Sequence, residues 1–204
     1  SFSNEIGNLS STLGGIDAKE VMEGVHLDKR ISPILEDGRR VTPEITTYLE
    51  VGCGFGGSCF SKDVDALISH GNSVNNPMHI LKSVMLINKI QPLEIVNRII
   101  KHYPDMNGLH ITVLGLAFKP GTDDMRESPS LNIISSLIRK GSLIKYYDPS
   151  GSKKEFNKFK NINYCSNIKE ACRNSDLLII HTEWNEFKQL NFKNLVKKKK
   201  FKIY

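Results

Sequence analysis

From Gly108 onward the chain alternates short apolar runs of strand type with helical segments, and this alternation constrains its fold more than any other feature. His110-Ile-Thr-Val-Leu-Gly-Leu-Ala117 reads as a buried strand, followed by strands at Leu143–Tyr147, Ile162–Cys165, Asp176–His181 and Phe201–Tyr204. Ser128-Pro129 is an N-cap with proline at the first helical position, opening a helix that stops at Gly141. Asn167-Ile-Lys-Glu170 has the form of a capping box, and another helix is predicted near Phe187–Val196. Strands alternating with helices make a parallel sheet covered on its faces, so residues 105–204 are predicted to form a Rossmann-like α/β domain.

Residues 1–104 read as mainly helical. Ser3–Leu13 is a helix stopped by Gly14-Gly15, and Asp17-Ala-Lys-Glu20 is a capping box opening a short helix through Val25. Pro33, Asp37-Gly38, Arg39-Arg40 and Pro43 mark residues 31–47 as a loop. A helix is predicted from about Phe60 to His70, then a polar break at residues 72–77. Beyond Pro77, Ile80, Leu81, Val84, Ile87, Ile90, Ile95, Val96, Ile99 and Ile100 recur at helical spacing up to Pro104, with Pro92 as an expected kink. These apolar positions spread too widely for one packing partner, as in a dimer interface. The predicted architecture is α/β: a helical dimerisation segment, then a Rossmann-like parallel-sheet domain. The chain opens without Met inside a predicted helix and closes in or just after a strand, so a fragment of a longer protein is expected.

Composition narrows the function classes. Lys+Arg 28 against Asp+Glu 22 gives a net charge of +6, yet the only dense run is Lys197–Lys200, and no nucleic-acid module accompanies it. That run reads as a solvated helix end or turn, the alternative being a basic pocket for a phosphorylated small molecule. Mean hydropathy is −0.29. No apolar run approaches the ~18 residues of a membrane span, and no secretory leader is visible, so a cytoplasmic protein with reduced thiols is expected. The four cysteines lack CxxC spacing and histidine partners, and the six histidines are scattered, so no metal site is predicted.

Gly52-Cys-Gly54-Phe-Gly-Gly57 matches G-x-G-x-x-G, with a strand-like Thr47–Val51 before it and a helix after it. A dinucleotide fingerprint also needs a second strand with a terminal acid about 20 residues on. Here that place holds Gly71–Pro77, neither strand-like nor acidic. A second reading centres on Cys59, at the start of the following helix, where helix N–H groups and Lys62 favour thiolate over thiol. Asp63, one turn on, is in range to handle a water or proton at the same centre. A small buried side chain in a tight turn is the structural alternative. In Ala117–Pro129, after the first strand, Lys119 and Arg126 could hold phosphates, or could pair with Asp123, Asp124 and Glu127. Asp148, at the end of the second strand, reads more as a turn opener than as a ribose ligand.

Three motifs then coincide. Gly54-Phe-Gly-Gly-Ser-Cys-Phe-Ser-Lys-Asp63 resembles the catalytic-cysteine motif of the UDP-glucose/GDP-mannose dehydrogenase family. Leu114–Pro129 resembles the signature opening that family's C-terminal nucleotide-sugar domain, and His181-Thr-Glu-Trp184 a third element of it. The resemblance covers essentially the whole chain. It implies a homodimeric NAD-dependent enzyme that oxidises the C6 alcohol of a nucleotide sugar to a carboxylate in two hydride transfers, with UDP favoured over GDP. By resemblance Cys59 attacks the aldehyde-level intermediate, giving a thiohemiacetal and then a thioester, and Asp63 assists with water or proton. Lys62 and Arg126 correspond to cofactor contacts. Tyr48, Leu49, Glu50, Val51, Gly52, Gly56, Phe118 and Lys119 correspond to sugar-nucleotide contacts, and Arg30 to an arginine reaching a neighbouring subunit's substrate. Departures from the pattern are Ser61 in place of proline, Cys53 in place of proline or valine, and a longer loop at residues 33–47. The family's N-terminal NAD domain has no counterpart in this sequence, so the isolated chain is expected to be inactive. The alternatives are a non-catalytic nucleotide-sugar-binding or dimerisation module, opposed by the intact Cys59, Lys62, Asp63 and Arg126, and a Rossmann regulator, opposed by the lack of a glycine-rich cofactor loop.

Overall fold

Gly14 ends the first helix, α1 (Phe2–Leu13), with φ 74, a value that glycine adopts without a Cβ penalty. In the computed structural model, which describes residues 1–196 and 201–204, Asp17 then caps α2 (Ala18–His26) by accepting from the Lys19 N–H at 2.8 Å. These helices belong to a unit made of residues 1–54 and 79–91; a second unit comprises residues 55–78 and 92–204. In the first unit, a Cβ on Gly7 would lie 3.0 Å from the Val51 side chain, so glycine lets α1 approach that segment. Thr47–Val51 does not form the strand expected of it. Glu44–Leu49 is a 3-10 turn, in which the Thr46 and Thr47 hydroxyls donate to the Pro43 and Glu44 carbonyls, each at 2.7 Å. Local side-chain bonds of this kind compete with strand pairing.

Helix α3 (Phe60–Ser73) runs past the expected end at His70, and α4 (His79–His102) contains Pro92. The first half of α4 lies in the first unit and the rest in the second. Ile80, Leu86 and Ile90 stay exposed, whereas Val96 and Ile99 are buried.

The second unit is built on a five-stranded sheet with β1 (His110–Leu114), β2 (Leu143–Tyr147), β3 (Ile162–Tyr164), β4 (Leu177–Ile180) and β5 (Lys202–Ile203). Every pairing is parallel, in the order β3-β2-β1-β4-β5, which confirms the predicted α/β class. The central strands bury Ile111, Val113, Leu114, Leu177 and Leu178, and α5 (Pro129–Arg139) presents Ile133, Ile134 and Leu137 as buried side chains. The helix α6 (Ile168–Cys172) begins at Asn167, whose side chain accepts from the Glu170 N–H at 2.8 Å. The single helix expected at Phe187–Val196 is divided into a 3-10 turn, Asn185–Phe187, and α7 (Phe192–Val196). Asn191 restarts the chain as a helix by accepting from the Asn194 N–H at 3.3 Å. Chain order reverses across β1 and β4, so the crevice where ligands enter such sheets opens at their carboxyl ends, next to Gly115 and His181. The Lys197–Lys200 run lies outside the described residues.

Candidate active site

The glycine cluster serves close packing. In the second unit a Cβ on Gly56 would stand 2.5 Å from the Glu127 carbonyl oxygen and 2.9 Å from the Phe118 Cβ. On Gly57, which has φ 88, it would stand 2.9 Å from the Phe118 ring. The Gly57 N–H donates to the Arg126 carbonyl at 2.8 Å, so the two segments are also joined through backbone. The loop leading to Cys59 therefore rests on the loop that leaves β1. No strand precedes this cluster, and the chain runs from α3 into α4 with no second strand between them, which removes the dinucleotide-fingerprint reading.

Cys59 is the N-cap residue of α3 and is exposed. The Asp63 N–H donates to the Cys59 carbonyl at 2.9 Å, which sets the Asp63 side chain one turn along the same helix. Lys62 and Asp63 form an ion pair, and the neighbouring carboxylate, with a smaller contribution from Cys59, raises the pKa of Lys62. Lys62 is thus held by the Asp63 carboxylate and is not dedicated to Cys59. Arg126 is held by the Asp124 carboxylate through Nε and Nη2 at 2.9 and 2.8 Å. That contact draws Asp124 down to about 2 and, again with a smaller contribution from Cys59, raises Arg126. The Lys119 ammonium lies 5.4 Å from the centroid of the Phe118 ring. Burial pushes the other three thiols up, Cys53 and Cys172 to about 11 and Cys165 in the same direction.

Gly56, Cys59, Lys62, Asp63, Phe118, Lys119 and Arg126 all belong to the second unit, whereas Arg30 and Tyr48–Gly52 belong to the first. There Tyr48 and Glu50 are exposed, and the Leu49 carbonyl accepts from the Ser3 hydroxyl. Gly52 is fixed at both backbone groups: its N–H donates to Asn4 Oδ1 at 2.7 Å and its carbonyl accepts from Gln91 Nε2 at 3.0 Å. Arg30 is exposed and clamped on Asp28, with Nη2 at 2.6 Å from the carboxylate, which holds Asp28 down at about 2. Arg40 donates from Nη1 to the carbonyls of Leu27 and Ser32 at 2.7 and 2.9 Å, tying together the turn that carries Arg30. Asn4, Gln91 and Arg40 carry no motif, because their role is set by backbone atoms distant in sequence.

The turn after β1 does not present the free backbone N–H groups of a dinucleotide cradle. In an open parallel sheet the first turn after β1 offers free N–H groups to a pyrophosphate. Here the Leu116 and Ala117 N–H groups donate to the buried Asp148 carboxylate at 2.6 and 3.3 Å. Lys62 and Arg126 remain as cations able to meet phosphate, each already against a carboxylate. No cluster of histidine, cysteine or carboxylate side chains able to hold a metal occurs among the described residues, and no helix there is long and apolar enough to cross a membrane.

Comparison with known proteins places this arrangement. Residues 1–90 match the model of the central domain of the UDP-glucose/GDP-mannose dehydrogenase family, and residues 112–204 match that family's UDP binding domain. UDP-glucose 6-dehydrogenase of Rickettsia prowazekii is 40% identical over 202 residues, covering 96% of this chain and 43% of the relative. UDP-glucose 6-dehydrogenase TuaD of Bacillus subtilis is 36% identical over 191 residues, covering 93% of this chain and 38% of the relative. Among solved structures, a UDP-glucose dehydrogenase from Pyrobaculum islandicum superposes with a TM-score of 0.77 at 34% identity, covering 93% of this chain and 41% of that one. The chain spans less than half the length of the relatives it matches.

Proposed function

The chain belongs to the UDP-glucose/GDP-mannose dehydrogenase family, and from that premise we propose that it is the central part (residues 1–104) and C-terminal part (residues 105–204) of an NAD-dependent nucleotide-sugar 6-dehydrogenase acting on a UDP-sugar. The observation that carries this reading is the seating of Gly56 and Gly57 on Phe118, which brings a thiol loop and the loop leaving β1 into one site. The NAD-binding part is proposed to lie outside these residues, in keeping with the occupied N–H groups of Leu116 and Ala117.

The chemistry assigned to this chain is covalent. At the aldehyde level of C6, the Cys59 thiolate forms the S–C bond, and the carbonyl oxygen takes a proton. When bound, NAD would supply the hydride acceptor; as each hydride leaves C6 the hydroxyl on that carbon gives up its proton, the second time leaving the thioester. A water activated by Asp63 then attacks the thioester carbon, and the C–S bond breaks to return the thiolate. In the second unit Phe118, Lys119 and Gly56 contact the nucleotide sugar; in the first, sugar-nucleotide contacts are assigned to Tyr48–Gly52 by the family resemblance alone. Lys62 and Arg126 reach cofactor phosphate after exchanging their carboxylates for it, and Arg30 turns to a neighbouring subunit's substrate. A homodimer, joined through the exposed apolar residues of α4, and a cytoplasmic location complete the proposal.

The test is NADH formation by the full-length protein with a panel of UDP- and GDP-sugars. Oxidation of a UDP-sugar is expected. Failure with every nucleotide sugar contradicts the assignment.

A further inference from the structure

The dipeptide Leu116–Ala117 is bound at all four of its backbone polar atoms by side chains from three other places in the second unit. The Asp148 carboxylate, at the end of β2, accepts from both N–H groups, at 2.6 Å from Leu116 and 3.3 Å from Ala117. The Leu116 carbonyl accepts from the Ser128 and Ser130 hydroxyls at 2.6 and 2.7 Å, where α5 begins. Ser128 occupies the N-cap position of that helix, yet it turns its hydroxyl to this carbonyl and not to a helical N–H. The Ala117 carbonyl accepts from Thr182 Oγ1 at 2.6 Å, just beyond β4.

Each partner is itself secured. Asp148 also accepts from the Ser150 N–H at 2.9 Å and lies 3.5 Å from the buried Lys153 ammonium. Having given its hydrogen to Ala117, Thr182 Oγ1 accepts from Nδ1 of His181 at 3.0 Å, which assigns the proton of that ring to Nδ1. Leu116, Ala117, Asp148, Ser128, Ser130 and Thr182 are all buried. A Cβ on Gly115 would fall 2.6 Å from the Thr182 Cβ, so glycine there allows Thr182 to approach the end of β1.

Ending a strand does not require this many buried donors and acceptors, and each is costly if left unpaired. The dipeptide leads directly into Phe118 and Lys119, and Phe118 carries Gly56 and Gly57, three and two residues before Cys59. We propose that Thr182 and Asp148 are positioning residues that hold the Phe118–Lys119 segment in its nucleotide-sugar-binding conformation. The inference rests on the reading of Phe118 and Lys119 as substrate contacts. Neither Thr182 nor Asp148 touches substrate; both act through the backbone of Leu116 and Ala117.

The test compares Thr182→Val, which keeps the shape and removes the donor, with Thr182→Ser, which restores it, both in the full-length protein. UDP-glucose affinity is measured by calorimetry and turnover by NADH formation. Thr182→Val is expected to weaken binding about tenfold, the effect of one buried hydrogen bond, with kcat changed far less and Thr182→Ser binding close to wild type. Wild-type affinity in Thr182→Val, or equal loss in Thr182→Ser, overturns the proposal. If Thr182→Val does not fold, the double variant Ser128→Ala/Ser130→Ala, which frees the Leu116 carbonyl, is read by the same affinity criterion. A wild-type protein that binds no nucleotide sugar contradicts the substrate-loop reading instead.

Discussion

At the residue scale, Cys59 differs from its three fellow cysteines in exposure. It stands exposed at the N-terminus of α3, whereas burial raises Cys53, Cys165 and Cys172. Near neutral pH, iodoacetamide is therefore expected to modify Cys59 first, as read by peptide mapping; earlier modification of Cys165 or Cys172 contradicts the argument from exposure. His181 gives a second expectation. Burial pushes it down to about 4 from its ordinary 6.5, with Asp148 opposing. Between those values the unfolded chain binds a proton that the folded chain does not, so stability falls as pH drops through that window, by up to ~3 kcal/mol. Urea unfolding at pH 7 and 4.5 checks this: His181→Gln should lose less stability on acidification than wild type, and an equal loss refutes it. The thiol loop was legible because its motif is contiguous. Asp148 was legible only as a turn opener, since the N–H groups it binds lie on another strand end.

At the element scale, the strands and the helices of the sheet domain stood out through apolar runs bounded by Gly, Pro and capping residues. Where side chains bonded locally, the pattern misled. Thr46 and Thr47 fold back on Pro43 and Glu44, so an apolar, β-prone stretch became a 3-10 turn, and Asn191 divided an expected helix by starting α7. The long helix was legible from its spacing, and its exposed residues carry an expectation of their own. Ile80, Leu86 and Ile90 are 79%, 60% and 40% exposed, too much apolar surface on one helix to leave in water without a partner. Sedimentation of the full-length protein should therefore give a dimer that Leu86→Glu shifts toward monomer. A wild-type monomer at high micromolar concentration, or an unaffected Leu86→Glu dimer, contradicts α4 as the interface.

For the whole molecule, strand–helix alternation carried the parallel sheet, whereas the placement of β4 on the far side of β1 depends on which faces the crossovers bury and was not visible in sequence. The matches to both the central and the UDP binding domain of one family agree with the order of the three motifs along the chain. Dividing the chemistry between this chain and a cofactor-binding part elsewhere leads to an expectation for the chain alone: residues 1–204 should form no NADH with any UDP-sugar, and measurable NADH contradicts that division. The central claim is that Cys59 serves the second oxidation by carrying the sugar covalently. It is tested most directly by counting NADH formed per UDP-sugar consumed in the full-length protein. Wild type is expected to give two. Cys59→Ser is expected to stop at one per active site with the aldehyde-level sugar retained, and two NADH per sugar from Cys59→Ser would contradict the account.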